Sequence, residues 1–213
     1  MNKLFIILII SSLIITGCKS KKVNLSDKQL VSDCFTNYKT QVLAKNGEEA
    51  VKYIDSATVN YFGKLHYYAV AYDSTQIAQL IISEKFIVLS ARAFFTGSDL
   101  QNMEHSRFLE QIISNNLLDN QMFTKVGLGK ITVTDTLADG FIIYNNFPLP
   151  YAFLFKLENK TWLLNLNALI PLLQVQLKSI LSSYNIPENE ALLTYIGKIT
   201  GKTCTNDIWQ PIQ

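Results

Sequence analysis

Arginine is nearly missing from this chain: Arg92 and Arg107 are the only two. The lysines are scattered among acids, and the formal net charge is only +2. A nucleic-acid surface needs clustered Lys and Arg, so no nucleic-acid partner is expected. Histidine is equally scarce. His66 and His105 lie far apart, with no Cys-x-x-Cys and no His-x-x-x-His, so no metal site is expected. Gly127-Leu128-Gly129 lacks the further glycines and the strand-to-helix setting of a phosphate loop, and no Gly-x-Ser-x-Gly elbow occurs. No cofactor is expected either. Nine glycines and five prolines are too few for a long disordered segment. What is plentiful is apolar surface: 48% of residues are hydrophobic, ample for a core in a chain long enough for one domain with an appendage.

The apolar residues begin at once. Met1-Asn2-Lys3 carries one positive charge, and Leu4 to Ile15 is apolar apart from Ser11 and Ser12. As a helix this run would rise about 18 Å, short of a hydrocarbon core of roughly 30 Å. A positive flank, a short apolar segment and small residues after it make a signal-peptide pattern. Ile15-Thr16-Gly17-Cys18 resembles the bacterial lipobox, with Ile15 and Thr16 standing where Leu and Ala or Ser are commonest. That resemblance implies cleavage between Gly17 and Cys18 and lipidation of the Cys18 thiol. The other reading is an uncleaved signal anchor with an ordinary cysteine. Lipidation makes residues 1–17 a lipoprotein signal peptide and residues 18–25, with Lys19, Lys21 and Lys22, a polar tether. The expected location is the bacterial cell envelope, on the periplasmic face of the outer membrane, because no acidic residue precedes Asp27.

Residues 26 to about 120 carry helical periodicity. Ser26 is a candidate N-cap, Leu30, Val31, Cys34, Phe35, Tyr38 and Val42 form a stripe, and Asn46-Gly47 ends the helix. A short helix over Glu48–Ile54 follows, then one capped by Asp55 or Ser56, and further helices after Ser74, over Ser83–Phe95 and over Ser106–Leu118. Beyond Gly127 the pattern alternates. Lys130–Asp135 reads as a strand, Asp139-Gly140 as a hairpin turn and Phe141–Tyr144 as its return. Tyr151, Phe153, Phe155 and Leu157 alternate along a third strand, Asn159-Lys160 turns, and Trp162, Leu164 and Leu166 alternate along a fourth. Pro171 opens a helix with a stripe from Leu172 to Tyr184, and Pro187 opens a last one that Gly201 stops. Helices first, then an antiparallel meander and two C-terminal helices, define an α+β chain.

The stretches KNGEEAVKYIDSATVNYF (45–62) and PYAFLFKLENKTWLLNLNALIP (150–171) resemble the α+β roll of the nuclear-transport-factor-like and steroid-isomerase-like superfamily. With the terminal ITGKTCTNDIWQPI (199–212) they also look like a group of small bacterial lipoproteins. The resemblance implies a roll domain over 26–171, with N-terminal helices packed on a curved, cone-like sheet, and a helical extension over 172–213. It also implies a conical pocket, and this fold hosts isomerases, dehydratases and non-catalytic binding modules alike. Enzymes of the superfamily pair an Asp or His base with a Tyr or acid. The candidates here are His66, Asp135 and Tyr144. For His66 a packed, hydrogen-bonded histidine is the plainer reading, and for Asp135 a solvated carboxylate near a turn.

With Cys18 lipidated, Cys34 and Cys204 remain. They could bridge in an oxidising compartment, or Cys34 could be a buried free thiol on its apolar stripe. Trp209 beside Pro211 reads as a hydrophobic plug on the domain or an exposed anchor for a partner. The expected function is non-catalytic: an envelope lipoprotein held to the membrane through Cys18 that binds a protein partner or a small apolar ligand. An enzyme of the same fold (isomerase, dehydratase or hydrolase type) acting on a small hydrophobic substrate, and a structural or assembly role at the outer membrane, are the alternatives.

Overall fold

The computed structural model describes residues 25–118 and 120–212. It is an α+β protein: helices, then a four-stranded antiparallel sheet, then two helices. Helix α1 (Leu25–Leu43) buries Val31, Cys34, Phe35, Tyr38 and Val42 on one face. Leu30, counted in that stripe from the spacing, is half exposed. Lys45 turns the chain with φ 57°, and Asn46 then caps α2 (Gly47–Ala50), accepting from Glu49 N. Gly47 is therefore a helix start rather than a stop. A Cβ there would lie 2.0 Å from Glu110 O, so only glycine allows this approach.

Asp55 caps α3 (Ser56–Ala71) by accepting from Thr58 N. Helices α4 (Ser74–Ala78), α5 (Ile82–Phe94), α6 (Gly97–Asn102) and α7 (Phe108–Ser114) follow. Asp73 and Thr96 each form a reciprocal capping box, with Gln76 and Asp99. A 3₁₀ turn over His105–Arg107 leads into α7, and another over Asn120–Lys125 leads into the sheet.

The strands β1 (Val126–Thr134), β2 (Leu137–Tyr144), β3 (Phe147–Glu158) and β4 (Thr161–Asn165) pair in sequence order. The hairpin expected at Asp139-Gly140 is not there. Both residues lie inside β2, opposite Leu154 and Phe153 of β3, and Gly140 also pairs with Ile131. The chain reverses instead at Asp135-Thr136 and at Asn145-Asn146. Asp135 has φ 53°, and the two asparagines have φ 49° and 67°, left-handed values that Asn and Asp tolerate better than most residues. Gly140 serves packing: a Cβ there would sit 2.4 Å from Leu128 Cδ1. The expected turn at Asn159-Lys160 is found, with φ 49° and 66°.

The register shifts between Leu128 and Ile131, and between Phe141 and Ile143, which interrupts the regular ladder of the sheet. Its inner face presents Ala138, Ile142, Phe153, Phe155, Trp162 and Leu164, with Phe35 of α1 against Phe153 at 4.9 Å between rings. The two halves are tied at β4. Asp55 N donates to Leu164 O, Asn165 Nδ2 donates to Asp55 at 2.7 Å, and Leu166 N donates to Thr58 Oγ1.

Helix α8 (Ile170–Ser182) has Pro171 in its first turn, and α9 (Glu188–Thr200) ends at Gly201 with φ 68°. Leu177 and Leu181 of α8, and Ala191, Leu192 and Ile196 of α9, join the same core as the N-terminal helices.

Candidate functional site

Between the inner face of the sheet and α8, side chains do not fill all the space. A cavity of about 210 Å³ lies between the sheet, α1, α3, α5 and α8. Its walls come from many elements: Phe62 from α3, Ile87 from α5, Ile142 from β2, Phe153 from β3, Leu166 from the 3₁₀ turn before α8, and Leu173 from α8. Gln176 is exposed at its mouth, and Met122 and Leu149 are half-buried there. Among the described residues that line it, none is charged.

The cavity's polar groups are few. Tyr38 projects from α1 and is 3% exposed; Tyr144, at the end of β2, is half-buried. Burial pushes the Tyr38 hydroxyl well above the usual tyrosine range, so it stays a neutral donor. Of the three residues singled out from the sequence, only Tyr144 reaches this cavity. Asp135 is exposed in the β1–β2 turn, and His66 lies elsewhere on α3, so the three do not converge.

His66 instead meets the chain's other histidine. Its Nδ1 is 2.6 Å from Nδ1 of His105, and its Nε2 is 2.9 Å from Leu100 O. A carbonyl can only accept, so neutral His66 carries its proton on Nε2, and His105 Nδ1–H donates to His66 Nδ1. The ring also packs 5.1 Å from Phe108. His66 is thus a packed, hydrogen-bonded histidine, the plainer of its two sequence readings. Among the described residues no group of three or more His, Cys, Asp and Glu is placed to hold a metal ion.

Desolvation lowers the His66 pKa below its ordinary value, against the bond to Leu100 O and with help from His105. Between the lowered value and about 6.5 the unfolded chain binds a proton that the folded chain does not. Stability is therefore full above about pH 6.5 and falls on acidification, by at most about 1.4 kcal/mol per pH unit for one proton. Urea unfolding followed from pH 7.5 to 5 should show this slope in the wild type and a flatter one in His66→Gln. An unchanged slope would assign the effect to other groups.

Arg92, the scarce cation, turns out to be structural. On α5 it is 8% exposed and donates to Tyr68 O, Ala69 O and Tyr72 O at the end of α3, and to Ile208 O and Gln210 O of the tail. Burial lowers its pKa to about 10, which leaves it charged at neutral pH. The carbonyl end of α3 is the negative end of the helix dipole and offsets that charge. Trp209, 9% exposed in the 3₁₀ turn Asn206–Trp209, is thus a plug docked on the domain. Cys34 and Cys204 are free thiols and are not bridged. Cys34 Sγ points at Tyr53 O inside the core, whereas Cys204 sits beyond α9 near Lys202 O. Burial pushes the Cys34 thiol up to about 12, so it is unreactive at neutral pH.

Comparison with known protein families, curated proteins and solved structures finds no match to this chain. Among the described residues no helix is long and apolar enough to cross a membrane. Gly17, Cys18 and the signal-peptide pattern lie outside the described residues.

Proposed function

We propose that this chain is a non-catalytic binding module that takes a small apolar ligand into the cavity under α8, and that a lipid on Cys18 holds it at a bacterial envelope. The observation that carries the binding reading is the cavity itself: about 210 Å³ of space lined almost wholly by apolar side chains. Cores normally leave few voids larger than a water molecule. An apolar cavity of about 150 Å³ stays dry and admits benzene. The described lining supplies two phenols and one amide, and no carboxylate, imidazole or amine. That favours holding a molecule over transforming it.

Ethylbenzene is a suitable first probe. At ten times its Kd it should stabilise the wild type by about 1.4 kcal/mol, read as a raised melting temperature. Leu173→Trp, which fills the space from α8, should fold and lose that shift. Absence of any shift in the wild type at millimolar ethylbenzene overturns the reading. The anchor is tested separately. Labelled palmitate should enter the full chain expressed in a bacterium and not Cys18→Ser, and equal labelling of the two would remove lipidation from the proposal.

A further inference from the structure

Apart from the Gln176 amide at the mouth, the polar side chains of the cavity are of one kind. Tyr38 and Tyr144 both line it, and neither hydroxyl forms a hydrogen bond with another described residue. The Tyr38 side chain as a whole is 3% exposed, yet its hydroxyl oxygen is not among the fully enclosed unpartnered atoms, in keeping with its place on the cavity wall. Its ring packs edge-on against Phe123 at 5.7 Å, a contact that phenylalanine would make equally well. The packing thus gives no reason for a hydroxyl there, and a donor without a partner beside apolar side chains is costly. A molecule in the cavity would meet it.

Charge narrows the class further. Among the described lining residues there is no Lys, Arg or His to receive an anion and no Asp or Glu to receive a cation. An ion entering this space would lose its hydration with nothing to replace it. Volume limits size: scaling from benzene in about 150 Å³, this cavity holds about eight to ten non-hydrogen atoms.

We infer that the cavity selects neutral ligands of this size with an apolar body and one oxygen that accepts a hydrogen bond from the Tyr38 and Tyr144 hydroxyls. This deepens the binding reading above and rests on it. Esters, ketones and ethers of short apolar molecules fit the class; fatty carboxylates and amines do not.

Calorimetric titration with three probes of similar frame tests it: methyl benzoate, ethylbenzene and benzoate at neutral pH. Methyl benzoate should bind roughly three- to tenfold tighter than ethylbenzene, the worth of a neutral hydrogen bond. Benzoate should bind weakest. Tyr38→Phe, or the double variant with Tyr144→Phe, should erase the advantage of methyl benzoate and leave ethylbenzene unchanged. The ligand-free melting temperature of Tyr38→Phe should equal or exceed that of the wild type. If ethylbenzene binds as tightly as the ester, or if benzoate binds best, the class is wrong and the binding reading stands. If Tyr38→Phe melts lower without ligand, the hydroxyl serves the fold and the inference is overturned. If none of the three probes binds the wild type, both readings fall together.

Discussion

Arg92→Leu should destabilise the protein by about 3–5 kcal/mol and release the C-terminal tail. The side chain satisfies five carbonyls, three at the end of α3 and two in the tail. Hydrogen bonds to a charged group contribute about 1.5–3 kcal/mol each, and their sum is reduced by the cost of burying the guanidinium. Leucine cannot donate, so Ala69 O and Tyr72 O lose the guanidinium, while Tyr68 O keeps only its bond from Tyr72 N. Arg92→Lys should be nearly as damaging, because one ammonium cannot reach carbonyls spread along a planar fork. Guanidinium denaturation gives the energy, and limited proteolysis reports the tail: cleavage after Lys202 should appear in the variant under conditions that spare the wild type. Truncation at residue 205 should cost a comparable amount, and the two changes together much less than their sum, since they remove one shared set of bonds. A loss below 1 kcal/mol for Arg92→Leu would show that the tail is held by Trp209 alone.

The second large effect is expected at Asp55, where α3 begins. Asp55→Ala should cost about 2–4 kcal/mol. The carboxylate, fully buried, both caps the helix through Thr58 N and receives Asn165 Nδ2 from the end of β4. Loss of a cap accounts for about 1 kcal/mol, and the abandoned Asn165 amide for about 1–3 more. Asp55→Asn keeps an acceptor for Thr58 N, so it should recover part of the loss. Equal losses for Ala and Asn in urea unfolding would mean that the negative charge, rather than the cap, matters. The unfolding transition should stay single in both variants, because Asp55 and Asn165 join the helical half to the sheet across 110 residues of sequence.

The elements themselves were legible from periodicity. The stripe Val31, Cys34, Phe35, Tyr38, Val42 located α1 correctly, and alternation through Phe153, Phe155, Trp162 and Leu164 located β3 and β4. Asp55 and Ser56 were both legible as cap candidates because capping is local chemistry, and Asp55 is the one that accepts from Thr58 N. The hairpin at Asp139-Gly140 misled for the opposite reason. Asp-Gly is a turn signal only when the chain there is free to turn, and this glycine is required by Leu128, twelve residues earlier. The real turns used Asp135 and the pair Asn145-Asn146, whose left-handed preference is weaker to the eye than a glycine's.

The cavity was less legible still. Tyr38 looked like one more core aromatic, since spacing says which face of a helix is buried and not whether an opposing side chain meets the hydroxyl. His105 lay too far from His66 in sequence for the pair to be seen. Arg92 did carry a signal: it interrupts the apolar run Phe86–Phe95, and a lone arginine in such a run must find carbonyls or water.

The sheet's order, β1 to β4 in sequence, leaves two outer strands, and these differ in how they would meet another molecule. Strand β4 is only five residues long, and Ile54 and Asp55 already occupy part of its free side. Strand β1 carries Gly127, Gly129, Lys130 and a break in register, and Lys39 Nζ already binds Val126 O at its start. Short length, glycine, a charged lysine and irregularity are the features that discourage strand-to-strand fibril growth. Proteins tethered to one surface meet one another far more often than the same molecules in bulk. Under the lipid anchoring proposed for Cys18, edges of this kind would let neighbouring copies collide without adding strand to strand.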